Sequence, residues 1–253
     1  MKRLVLILAA LLATTLHAQT ILPCWETPPA AEQILVHEGF TVSYNNTTLC
    51  PNWSAWELTP EEAAATLTGR TDFFTTDPLV EGRQAQYRDY SRNGMDLDRG
   101  HMAPSADFRW SVAANEQTFY LTNICPQNHT LNEGLWLEVE QRCRAWSKRY
   151  GTAVHIVCGP IFDDSPERIG GNGVSVPKAF FKAVLLEYGG TYHAIAFLMP
   201  NGPLDILKDV FEYCIPMAAV TSLTGLDPFP GITYAEAGKG LPWDIPWKKP
   251  NKK

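Results

Sequence analysis

The amino-acid sequence predicts an α+β protein with a largely antiparallel central sheet flanked by helices. Three observations carry that expectation. Short alternating or β-branched and aromatic runs recur in both halves of the chain. One long stretch repeats apolar residues at helical spacing. Strands and helices also follow one another without the regular βαβ alternation that a parallel sheet needs.

Taken in order, residues 1–18, "MKRLVLILAALLATTLHA", have a basic start, an unbroken apolar run and a polar patch ending in Ala18. That is the layout of a secretory signal peptide, so a secreted or periplasmic location is expected. The apolar run is too short to span a bilayer comfortably, and no later segment approaches the roughly 20 apolar residues of a membrane helix. Residues 19–253 are expected to form a single domain, because no Gly/Ser linker, charge block or repeat divides them.

The run "FTVSYN" (Phe40–Asn45) alternates, "SAWEL" (Ser54–Leu58) is short and aromatic-bearing, and the two read as a hairpin. Thr59, Pro60, Glu61 and Glu62 supply a cap, a first-turn proline and early acids for a short helix through "AAATL". "TFYLTN" (Thr118–Asn123) reads as a strand. From Asn132 the spacing of Leu135, Val139, Cys143, Trp146 and Tyr150 predicts a helix of about five turns. "VHIVCG", "KAFFKAVLLEY" and "YHAIAFLMP" read as three successive strands, and "LDILKDVFEYC" and "PMAAVTSLTG" as helices.

Six cysteines, Cys24, Cys50, Cys125, Cys143, Cys158 and Cys214, follow the leader, and an even count in an exported chain predicts disulfides. No CxxC pair supports a thiolate zinc site. The formal charge is -6, and loss of Lys2 and Arg3 with the leader makes it -6 - 2 = -8. This acidity argues against a non-specific nucleic-acid coat but leaves room for a local basic groove. Arg99, Arg142, Arg144, Lys148 and Arg149 are expected to form one positive strip.

The chemistry concentrates in "MDLDRGHMAPSAD", where Asp98, Arg99, Gly100 and His101 are consecutive. Two strands followed by a helix, with His101 on the first strand and Asn132 at the helix mouth, form a compact way to set a base opposite a metal. A single imidazole can take a proton from water near neutral pH. Phosphodiester hydrolysis needs such a base, and it needs positive charge at the phosphoryl and departing oxygens. Asn132 offers a neutral oxygen to a hard, hydrated cation, Glu140 two turns later could hold its waters, and the planar fork of Arg99 matches a phosphate. Gly100 lets the backbone pass close to substrate, and Asp98 orients Arg99 or pins the turn. Singly, each has a plain structural role. Together they weigh more, since a DRGH string arises by chance in a chain this long on the order of once in a thousand.

The blocks "DLDRGHMAPSADFRWS", "FYLTNICPQN" and "LNEGLWLEVE" resemble the DNA/RNA non-specific endonucleases of the ββα-metal class, and the likeness continues through "VCGPIF", "VPKAFFKAVLLE" and "LTGLDPFP". It implies a ββα-metal finger on the antiparallel sheet. It implies His101 as general base, Asn132 as direct ligand of one Mg²⁺ (or Mn²⁺), and Glu140 acting through metal-bound water. It also implies Arg99 on phosphate, Asn123 and Gln127 shaping the substrate site, and products with a 5′-phosphate and a 3′-hydroxyl. Glu133 departs from the family's usual Gln or Arg after the ligand Asn, and Cys125 sits where a disulfide to Cys143 could clamp the block. The function expected is an exported, metal-dependent endonuclease of DNA and RNA. The alternative is a phosphodiesterase restricted to nucleotides or to DNA. DNA and RNA are the expected partners, with a homodimer and a protein inhibitor left open.

Overall fold

A computed structural model describes residues 21–29, 31–91, 96–205, 207–236, 240 and 242–244. The segment read as a signal peptide lies outside the described residues, as do Arg92 and the tail lysines Lys248, Lys249, Lys252 and Lys253. Among the described residues no helix is long and apolar enough to cross a membrane.

In chain order the elements are β1 (Cys24–Trp25), β2 (Glu32–Val36), β3 (Thr41–Asn45), β4 (Cys50–Leu58), α1 (Pro60–Ala64), β5 (Leu97–His101), α2 (Val112–Gln117) and β6 (Ile124–Asn128). A single turn α3 (His129–Leu131) and a π-helical turn over Asn132–Trp136 lead into α4 (Leu137–Tyr150). Then come β7 (Val154–Ile161), the short β8 (Arg168–Ile169) and β9 (Val174–Ser175), β10 (Ala179–Tyr188), β11 (Thr191–Pro200), β12 (Cys214–Ile215), α5 (Met217–Thr224), β13 (Leu226–Asp227) and β14 (Tyr234–Glu236).

The central sheet runs β12-β11-β10-β7-β4-β3-β2 with antiparallel pairing throughout, and β14 joins β11 in parallel. The expected α+β class is thus observed. Side chains alternate across β10: Phe180, Val184 and Leu186 enter one core with α4, while Phe181, Ala183 and Leu185 enter another with Met217 and Val220 of α5. A sheet covered on both faces needs apolar residues at nearly every position, which explains why "KAFFKAVLLEY" shows little polar alternation. β5 and β6 form a separate two-stranded ribbon, and with α4 they make a strand–strand–helix finger against the sheet.

Thr59 caps α1 through a capping box with Glu62, as its sequence predicts, although the helix stops at Ala64. Two expectations are corrected. "TFYLTN" is not a strand: Thr118 closes α2, its hydroxyl donating to the Asn115 carbonyl at 2.7 Å, and Leu121–Asn123 form a 3-10 turn. Local hydroxyl-to-carbonyl bonds there satisfy backbone groups that a ladder would otherwise use. "LDILKDVFEYC" is likewise not a helix, since the Asp209 carboxylate caps only a 3-10 turn over Val210–Tyr213 before β12.

The predicted disulfides are also corrected, because all six cysteines are free. Cys24 sits on the separate β1–β13 ribbon, away from the ladder that Cys50 opens on β4. Cys125 packs beside Cys50 and Cys158, whereas Cys143 faces Lys182, Asp107, Arg144 and Glu140, so the expected Cys125–Cys143 clamp does not form. Burial pushes the thiols of Cys143 and Cys158 up to about 12, which keeps them protonated and unreactive near neutral pH.

Candidate active site

The finger fixes the first reactive group. In the β5–β6 ribbon His101 pairs with Ile124 and Gly100 with Cys125, and alternation sends Arg99 and His101 to one face and Asp98 and Gly100 to the other. The strands approach so closely that a Cβ on Gly100 would lie 2.3 Å from Gln127 Oε1 and 2.4 Å from Gln127 Cβ. Gly100 therefore makes room for a buried side chain of the same ribbon, and its role is internal packing.

The His101 ring is only 7% exposed, with Phe119 at 5.0 Å edge-on and Phe74 at 5.5 Å. Its Nε2 is buried and has no hydrogen-bond partner among the described residues. Burial, reinforced by the charges of Arg70 and Arg99, pulls the imidazole down to about 3, so it is neutral in the physiological range. A neutral imidazole is the form that can accept a proton.

The second group is aimed from behind. Asn132 opens the π-helical turn, a distortion made feasible by Gly134 at φ -107° and ψ -112°. The Asn132 Nδ2 donates to Asp98 Oδ2 at 2.8 Å, which leaves its carbonyl oxygen as the free end of the amide. The same Asp98 oxygen holds His129 Nδ1 at 2.9 Å, and His129 Nε2 lies 3.6 Å from Glu133 Oε2. Asp98 thus orients Asn132 rather than Arg99. Its carboxylate raises the pKa of His129 first through the hydrogen bond and then through its charge.

His101, Asn132, Glu133 and Glu140 line one cleft of about 780 Å³, together with Arg70 and Arg109. Glu140 is 8% exposed, and burial raises its carboxyl to about 7 against the opposing charges of Lys182 and Arg144. Arg109 Nε donates to the Thr68 carbonyl at 2.9 Å, tying down the segment that carries Arg70. Arg70 lies with its guanidinium 5.4 Å from the Phe119 ring. A neutral base, two oxygen donors and two guanidinium groups converge here, a set suited to water-mediated attack on a phosphate held beside a hard cation.

Three residues expected at the substrate site, Arg99, Asn123 and Gln127, are not among those lining this cleft. Arg99 lies with its guanidinium 4.8 Å from the Phe74 ring and 4.9 Å from the Tyr87 ring, outside the cleft lining, and acts on His101 through its charge. Asn123 is fully buried: its Oδ1 accepts from Ala103 N and Ser54 Oγ, and its Nδ2 donates to the carbonyls of Ala103 and Thr118. It clamps the chain just after His101. Gln127 is fully buried beneath Gly100. The expected positive strip also breaks up, since Arg142 is buried on Glu138 at 2.8 Å and Arg144 is paired with Asp107 at 2.5 Å.

Sequence reasoning gave neither Arg70 nor Arg109 a place in the site. No periodicity marks Arg70, whose place in the cleft depends on the irregular segment after α1 folding back over Phe119.

A sequence profile of the family described as DNA/RNA non-specific endonuclease matches residues 26–235. The chain is 32% identical over 222 residues to the protein named "Endonuclease G, mitochondrial" from Homo sapiens, covering 83% of this chain and 73% of that protein. It is 35% identical over 211 residues to the "Mitochondrial nuclease" of Saccharomyces cerevisiae, covering 75% of this chain and 63% of that protein. Among solved structures, an EndoG/EndoGI complex superposes with a TM-score of 0.76 at 26% identity, covering 84% of this chain and 93% of that one. The mitochondrial names of these relatives overturn the secreted or periplasmic location expected from residues 1–18.

Proposed function

The chain belongs to the DNA/RNA non-specific endonuclease family, and from that premise we propose that it hydrolyses phosphodiester bonds of both DNA and RNA with little sequence preference, using one divalent cation of the Mg²⁺ or Mn²⁺ type. The observation that supports this reading most is the convergence of neutral His101, Asn132 and Glu140 on one cleft with Arg70 and Arg109.

The residues present fit a hard cation. Asn132 has its amide nitrogen committed to Asp98 and its oxygen left over, and Glu140 adds a carboxylate on the same cleft. Among the described residues the cleft lining holds one imidazole and no thiol, so its donors are mainly oxygens, which suit a hard cation. Asn132 would hold the cation directly and Glu140 through water, in keeping with a hydrated ion that takes few protein ligands. When bound, such a cation supplies positive charge at the phosphoryl and departing oxygens.

With Nε2 enclosed, Nδ1 is the nitrogen through which His101 takes the proton of the attacking water. Arg70 and Arg109 hold the phosphate's charge. Arg70 and Arg99 depress the basicity of His101 in the free protein, and an incoming phosphate offsets both charges, so the ring becomes a stronger base when substrate is present. The products are a 5′-phosphate and a 3′-hydroxyl. A protein inhibitor is a candidate partner, since the solved neighbour is a nuclease in such a complex.

The test is incubation of the purified protein with closed circular plasmid and with RNA, in Mg²⁺ and in EDTA, beside His101→Ala. Mixed-size fragments from both substrates in Mg²⁺ alone are expected. His101→Ala should lose about two to four powers of ten in rate, the usual worth of a positioned base. Near-normal cleavage by a folded His101→Ala protein overturns the assignment.

A further inference from the structure

A lysine stands where the fold asks for an apolar residue. In β10 the side chains of Phe180, Val184 and Leu186 pack into the core under α4, and Lys182 occupies the same face between them. It is 1% exposed, and its Nζ has no hydrogen-bond partner among the described residues. The ammonium lies 4.1 Å from the ring centre of Trp136 and 5.7 Å from that of Trp56, with Glu140 Oε1 at 4.0 Å. Burying an ammonium with so few partners is costly, and methionine would fill the space without that cost.

The other titratable or charged groups near this point are Arg144, Asp107, Arg70 and the thiols of Cys143 and Cys158. Arg144 is taken by Asp107 at 2.5 Å, and Asp107 also accepts from Trp56 Nε1 at 3.0 Å. That leaves Lys182 as the counterion of Glu140, approaching it from the sheet side while the cleft lies on the other.

We propose that Lys182 is a positioning residue for the cation site: anchored on Trp136, its ammonium draws Glu140 Oε1 towards the sheet and leaves Oε2 aimed into the cleft. The two indoles restrict the ammonium by cation–π contact, so the carboxylate is held by a group that is itself held. The proposal rests on the reading of Glu140 as the residue that binds the cation's water.

The test uses the full chain carrying Lys182→Met, Lys182→Arg and Lys182→Gln, each alone and combined with Glu140→Gln. Mn²⁺ binding without substrate, kcat and KM on an oligonucleotide, and thermal unfolding are measured for each. Lys182→Met should weaken Mn²⁺ binding about tenfold or more and lower kcat about tenfold or more at unchanged KM, the scale of effect seen when a group supporting a metal site is removed. Lys182→Arg should recover most of both. In the Glu140→Gln background, Lys182→Met should change neither by more than about twofold, because its route of action is already gone. Equal losses in both backgrounds, tighter Mn²⁺ binding, or a change confined to thermal unfolding would overturn the proposal. Should Lys182→Met fail to fold, Lys182→Gln is judged by the same criteria. Unaltered Mn²⁺ binding and kcat in Glu140→Gln alone would instead overturn the role of Glu140, a separate outcome.

Discussion

Replacing His101 with glutamine should make the folded protein less sensitive to acid, and the size of the effect follows from burial. The imidazole is 7% exposed with Nε2 unpartnered, and its pKa falls from 6.5 to about 3. The unfolded chain takes up this proton near pH 6.5, whereas the folded protein refuses it until about pH 3. The contribution of His101 to stability is therefore complete above pH 6.5 and is lost progressively as the pH falls towards 3. Between pH 7 and pH 4 the unfolded state gains the proton over about 2.5 pH units, worth about 3 kcal/mol at 1.36 kcal/mol per unit. Urea unfolding in EDTA at the two pH values, followed by circular dichroism, measures it. The stability lost by the parent protein should exceed that lost by His101→Gln by about 3 kcal/mol. A difference below about 0.5 kcal/mol would show that the folded protein protonates this ring freely, and the enclosed neutral base would have to be abandoned.

Gly100→Ala places a methyl group 2.4 Å from Gln127 Cβ. It should cost about 1–3 kcal/mol through overpacking; Gln127→Gly should relieve this and Gln127→Ala should not, since alanine keeps the offending carbon. Denaturation midpoints of the two double variants decide it, and equal rescue by both would refute the contact. Asp98→Ala frees the Asn132 amide and should lower kcat about 10- to 100-fold, the usual cost of removing the partner that orients a metal ligand. Raising Mg²⁺ should recover part of the rate, and a Mg²⁺ titration in which Asp98→Ala behaves like the parent would leave Asp98 as a turn residue only.

The strands were legible wherever packing requires a pattern. β3, β7, β10 and β11 carry their burial in their residue types, and the run Leu135, Val139, Cys143 and Trp146 is 0–1% exposed, as its helical spacing demands. The failures share a cause. In Thr118–Asn123 and Asp209–Tyr213 the same residue types that favour strands or helices are held in 3-10 turns by side chains bonding to nearby backbone, a local competition that hydrophobic periodicity does not register. The disulfide expectation rested on compartment, and Cys125 and Cys143 do not lie on elements that bring the two thiols together.

That His101, Asn132 and Glu140 would come to one cleft was legible, because their residue types carry the chemistry and their spacing matches two strands and a helix. Their supports were not. Asn123 and Gln127 stand in the motif block like substrate contacts, yet Asn123 ties Ala103 and Thr118 together and Gln127 fills the hollow left by Gly100. Proximity in sequence to a reactive residue fixes the neighbourhood but not which side of the strand faces the cleft. Arg99 shows the limit most clearly. Alternation puts it on the same face as His101, so a sequence reading has every reason to give it the phosphate, but its guanidinium packs against the rings of Phe74 and Tyr87 and is not among the groups lining the cleft. Arg70, 31 positions before His101 in the chain and in no regular element, takes the place in the cleft instead. The charge in the cleft is thus delivered by a segment whose path depends on Thr68, Arg109 and Phe119 together, and a placement that needs three remote partners leaves no periodic trace.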